Sequence, residues 1–152
     1  MSWFLFFPFI LQSLAIAFDE FYFHVKRGLP RWERIGHPVD TLSTIACFIY
    51  VLFTPFSKET LPYFIALAIL SALLITKDEW VHKEHCEGKE QWLHALLFIN
   101  HPLLLIALGI LWARFQEQPL FAAFSCVQLV FSILFFLYQV VFWNFIWKER
   151  TK

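Results

Sequence analysis

At 152 residues the chain suits a single domain, and it is 59% hydrophobic, 16% charged and of mean hydropathy +0.60. Soluble domains carry about 25% charged residues, so composition argues against a fold bathed in water. The formal net charge of zero argues against a nucleic-acid partner. Cys47, Cys86 and Cys126 are scattered and form no CxxC, so a disulfide framework is not expected. No basic segment precedes the first apolar run, so a cleavable leader is not expected.

A membrane helix needs about 20 mostly apolar residues. Five such stretches are predicted in chain order, at about 3–25, 30–53, 61–85, 90–115 and 119–147. The first carries Asp19 and Glu20 in its last third. The second opens after Pro30, read as a first-turn proline, and Pro38 is expected to kink it and to turn the His37 ring inward. The fourth holds Pro102. Turn chemistry separates the stretches: Arg27-Gly28-Leu29-Pro30, Thr54-Pro55-Phe56-Ser57, Glu87-Gly88-Lys89 and Gln116-Glu117-Gln118-Pro119. The expected fold is all-α, an integral membrane bundle of five transmembrane helices.

Alternating the spans puts Lys26, Arg27, Arg31, Arg34, Lys77, Lys83, Lys89, Lys148, Arg150 and Lys152 on one side, and Lys58 and Arg114 on the other. Ten cations against two predicts that the first side is cytoplasmic, with the N-terminus outside and the C-terminus inside an inner or plasma membrane. The seven tryptophans fall near span ends, as an interfacial aromatic belt would.

All six histidines, and every acid except Glu59 and Glu117, fall on the predicted cytoplasmic side. Glu20 and His24 stand four residues apart and share a helix face, as do Glu33 and His37, and Glu90 and His94; Glu79 and His82 stand three apart. The pattern is written twice: an Asp-Glu pair, a histidine three or four residues on, a short basic turn, then Glu-x-x-x-His. The glutamates are 13 apart in the first copy (Glu20, Glu33) and 11 in the second (Glu79, Glu90). This reads as two pseudo-repeated helical hairpins plus a fifth C-terminal helix.

Carboxylate and imidazole one helical turn apart are the elements from which helical bundles build di-metal centres. Glu20, His24, Glu33, His37, Glu79, His82, Glu90 and His94 are the expected metal ligands. Asp19, Asp40, Asp78, His85 and His101 are expected as additional ligands or as groups that orient the histidines. Cys86 is read as an inert thiol more readily than as a soft ligand. Two divalent ions are expected, iron favoured, zinc or manganese as alternatives. Gln128, Ser132, Tyr138, Gln139 and Asn144 of the fifth span are read as interhelical hydrogen-bonding groups that form no single stripe, and Phe131 to Phe142 as lipid-facing packing.

At the level of class, histidines gathered at cytosolic span ends resemble those of the membrane-bound fatty-acid hydroxylases and desaturases. Those enzymes carry H-x-x-x-H and H-x-x-H-H boxes. Here single histidines are partnered by glutamate, and His82-Lys83-Glu84-His85 is a lone H-x-x-H. The resemblance implies a metal site and says little about the reaction. The expected function is a metal-dependent membrane enzyme acting oxidatively on a lipid or quinone-like substrate. A zinc hydrolase, an ion or proton transporter, a haem protein and an assembly subunit are the alternatives.

Overall fold

The structure, a computed structural model, describes residues 3–147, apart from the side chains at 78, 80, 81 and 85. Five helices long and apolar enough to cross a membrane account for nearly all of it: α1 (Trp3–Arg27), α2 (Arg31–Phe53), α3 (Leu61–Glu84), α4 (Gly88–Phe115) and α5 (Pro119–Ile146). No strand occurs among the described residues. Pro30 precedes the first turn of α2 rather than occupying it, and α2 and α4 continue through Pro38 and Pro102. Large apolar side chains face outward all round the bundle, among them Phe7, Leu14, Ile35, Leu73, Ile99 and Leu134. Such a surface is stable against hydrocarbon and not against water, and it fits a lipid bilayer.

The packing order is not the chain order. α1 lies along α4, α4 along α3, α3 along α2 and α2 along α5. α1 and α2 are joined by a turn whose Gly28 has φ +79°, a conformation costly for residues with a Cβ. A Cβ there would also lie 2.6 Å from the Trp147 ring, so the turn and the end of α5 fit together only with glycine. Successive helices α1 and α2, joined by this turn, are thus not each other's main packing partners.

The half of the bundle away from Gly28 is filled. Phe9, Cys47, Phe48, Val51, Phe64, Leu104, Leu108, Leu111 and Trp112 form one buried apolar cluster. The Trp112 indole donates to the Thr54 carbonyl at 2.9 Å, and the Gln116 side chain accepts from Phe56 N–H at 2.6 Å. These bonds satisfy backbone groups left over where α2 ends. Trp112 and Trp143 are therefore fully buried, not members of an aromatic belt, whereas Trp3, Trp32 and Trp92 are exposed.

Helix geometry departs from α-coiling at the other half. Asp19–His24 is π-helical, as is Phe142–Ile146, and Ile75–Asp78 is 3₁₀. π turns occur mostly as local widenings at functional sites. In α1 the widening turns Asp19, Glu20, Phe23 and His24 all inward.

Candidate metal centre

The π turn decides the first half of the site. A π-helix stacks residue i on i+5 as well as near i+4, so His24 meets two carboxylates of its own helix. Its Nδ1–H donates to Glu20 Oε2 at 3.1 Å, and its Nε2 lies 3.2 Å from Asp19 Oδ2. Glu20 also accepts from the Trp143 indole. Asp19 reaches across to α4, where both its oxygens lie 3.1 Å from His94 Nε2.

Helix register brings in the rest. Glu33 and His37 face inward from the first two turns of α2, and Glu90 and His94 from the first two turns of α4; His82 enters from the end of α3. His37 stays in helical backbone, so its ring points inward by register and not by unwinding at Pro38. The four imidazoles form a closed circuit: His24 to His37 at 4.9 Å between ring centres, His37 to His82 at 6.5 Å, His82 to His94 at 4.0 Å and His94 to His24 at 6.3 Å. Glu33 Oε1 lies 3.8 Å from His82 Nε2, and Glu90 Oε1 lies 3.9 Å from His24 Nε2.

Arg27 stands between the two second-helix glutamates. Its Nη2 donates to Glu33 Oε2 and its Nε to Glu90 Oε1, both at 2.8 Å. The sequence reading gave Arg27 a topological role; the structure makes it an internal cation between two buried carboxylates. Cys86, beyond the end of α3, receives a long contact of 3.6 Å from Arg27 Nη2. Burial pushes its thiol up to about 12, so it is protonated at neutral pH and fits the inert reading.

Seven of the eight predicted ligands, Glu20, His24, Glu33, His37, His82, Glu90 and His94, lie together with Asp19. Glu79 does not join them; it is exposed, at a shallow cleft shared with His82, Gln91 and His94. Its helix leaves a 3₁₀ segment where α1 has a π turn, so its phase differs from that of Glu20. Asp40 instead pairs with Lys77 Nζ, both oxygens at 2.7 Å. His101 lies deeper and is bonded to Ser71 Oγ at 2.9 Å, which in turn meets Ser43 Oγ at 2.8 Å. The Asp78 and His85 side chains fall outside the described ones.

The donor chemistry fits a metal. His24 Nε2 lies 3.2 Å from Asp19 Oδ2 and 3.9 Å from Glu90 Oε1, a ring nitrogen among carboxylate oxygens of the kind that share one cation. His24 Nε2, His94 Nδ1 and both ring nitrogens of His82 are buried with no hydrogen-bond partner among the described residues. Each such atom costs about 1–3 kcal/mol unless something binds it. Four groupings hold ligand atoms within 4.8 Å of one another: Asp19, His24, Glu90 and His94; Glu20, His24 and His37; Glu33, His37 and His82; and His82, Cys86 and His94. They overlap at shared histidines, as neighbouring ligand sets would.

A cavity of about 160 Å³ leads from this cluster into the bundle. Gln128, Ser132 and Gln139 of α5 all line it, together with Phe131 and Phe135. They form one inward stripe after all, at 128, 132, 135 and 139, and these two phenylalanines are not simply lipid-facing. No protein-family model, curated protein or solved structure matches the chain. What fold and site define is a class: a five-helix membrane-type bundle with a buried histidine–carboxylate cluster at one end.

Proposed function

We propose that this protein is a metal-dependent membrane enzyme whose centre is held by His24, His37, His82 and His94 with Asp19, Glu20, Glu33 and Glu90. The observation that carries the reading is the circuit of four imidazoles, with unpartnered ring nitrogens on three of them, facing four buried carboxylates. Arg27 supplies one positive charge among those four buried carboxylates, and a bound cation would offset the rest. The ligand set suits two divalent ions, with iron favoured. The pseudo-repeat expected from the sequence, if it relates the two halves, supports a paired centre. The His24–His37 and His82–His94 distances correspond across it, as do His24–His94 with His82–His37, and Glu90–His24 with Glu33–His82. Arg27, touching Glu33 and Glu90 alike, lies where the axis would pass.

When bound, iron would supply oxidative chemistry at the inner end of the cavity. The protein's own part is positional: Trp143 and Glu20 hold the His24 ring, Asp19 ties His24 to His94, and Arg27 sets the glutamates. The positive-inside bias of the sequence supports a cytoplasmic site. Elemental analysis and an optical spectrum of the purified protein test this, with His82→Ala and His94→Ala beside wild type. Iron in wild type and its loss in both variants is the expected result. Zinc in its place would shift the reading to a hydrolase, a Soret band would make it a haem protein, and no bound metal after incubation with iron, zinc or manganese would overturn it.

A further inference from the structure

α1 and α5 meet at two places. Near one end Phe6 and Phe9 pack edge-on to Phe124, with ring centres 4.8 and 5.0 Å apart. At the site end Phe21 packs on Tyr138 and Glu20 accepts from Trp143. Between them, Ser13 and Ile16 of α1 and Gln128 and Ser132 of α5 line the cavity. Along this stretch no hydrogen bond or ring contact joins the two helices among the described residues, and their backbones are not packed together. Phe131 of α5 lines the cavity and is half exposed. The outward faces of both helices along this stretch are apolar, at Leu14 and Leu134 for example.

We infer that this gap between α1 and α5 is a lateral portal, and that the substrate is the hydrocarbon chain of a membrane lipid, which enters sideways from the bilayer with its reacting segment toward the histidine cluster. The substrate class rests on the metal-enzyme reading; the portal does not. A gap at this depth is reached only by molecules dissolved in the bilayer. The lining supplies the physical match: Ile16, Leu97, Phe98 and Phe135 contribute apolar surface beyond the cluster, with Gln12 and Gln128 among them, so a chain exchanges one largely apolar environment for another. Arrival from the membrane also keeps water from the buried carboxylates.

The test reconstitutes the full chain in nanodiscs of phosphatidylcholine carrying a mid-chain diazirine on one acyl tail, irradiates it and maps the labelled residues by mass spectrometry. Labels on Ser13, Ile16, Gln128 or Ser132, in addition to outward residues such as Leu14 and Leu134, are expected. Ser132→Trp, and separately Ser13→Trp, should remove the inward labels and leave the outward ones, while Ile133→Trp on the lipid side removes neither. Labels confined to outward residues in wild type would overturn the portal whether or not the variants fold. Metal is measured on the same samples: inward labels without metal would sink the enzyme reading alone, and metal without inward labels would sink the portal alone.

Discussion

Asp19 and His24 are five residues apart in the chain, and their side chains meet at 3.2 Å because the helix between them is π-coiled. An α-helix would turn residue 24 about 140° away from residue 19, following from 3.6 residues per turn. This pairing, together with the reach of Asp19 to His94, makes Asp19 a hinge-pin of the proposed centre, while Glu79 stays exposed. Asp19→Asn is therefore expected to lower bound metal strongly, whereas Glu79→Gln leaves it at the wild-type level. Elemental analysis of both variants checks the contrast.

Arg27 is the second dependency. Glu33 and Glu90 are almost wholly buried and both lean on its guanidinium. Removing one partner of a buried ion pair costs about 3–5 kcal/mol, since the other charge is left uncompensated. Arg27→Gln should lower thermal stability in detergent by many degrees. Arg27→Lys should recover only part of it, because an ammonium lacks the fork that serves two carboxylates at once. Thermal melts followed by circular dichroism read both.

The turn after α1 should be equally intolerant. Gly28→Ala meets both a positive φ and the Trp147 ring. The backbone strain alone is about 1–3 kcal/mol. Trp147→Ala in the same chain should relieve the ring clash and leave the backbone strain, so the double variant is expected to melt between wild type and Gly28→Ala.

The Cys86 thiol gives a pH-dependent readout. Thiolate is the species that alkylates, and burial holds this group protonated up to about 12. Its folded value lies above that of an ordinary thiol, so the neutral form persists through the range in which a free cysteine ionises. In metal-depleted protein its alkylation rate should keep rising through pH 8 to 10, where a free cysteine levels off. Rates measured by mass spectrometry of the 86-containing peptide decide this.

Much of the architecture was legible in the chain. The apolar runs marked the five helices, and four-residue spacing marked His24, His37 and His94 together with their glutamates, because α-helical register carries side chains at i and i+4 to one face. What was hidden depended on local departures from that register or on partners far along the chain. Asp19 was expected as an additional ligand, but its pairing with His24 through the π turn was not, since no spacing rule for α-helices reveals an i+5 pair. Arg27 sits among span-end cations that look alike in sequence, and only the approach of α4 to the turn after α1 singles it out. The stripe at Gln128, Ser132, Phe135 and Gln139 was written at helical period, but Tyr138 and Asn144 obscured it. Asn144 in fact bonds its own helix, at Val140 O.

The packed cluster around Phe48, Leu108 and Trp112 has one more implication. It makes the interior a blind vestibule, stoppered at the end away from the histidines. A solute crossing from one compartment to the other would have to prise apart a dry plug of interlocked rings and aliphatic groups. On the proposed reading, a molecule built this way receives a guest, holds it against the cluster and returns it to the leaflet it came from.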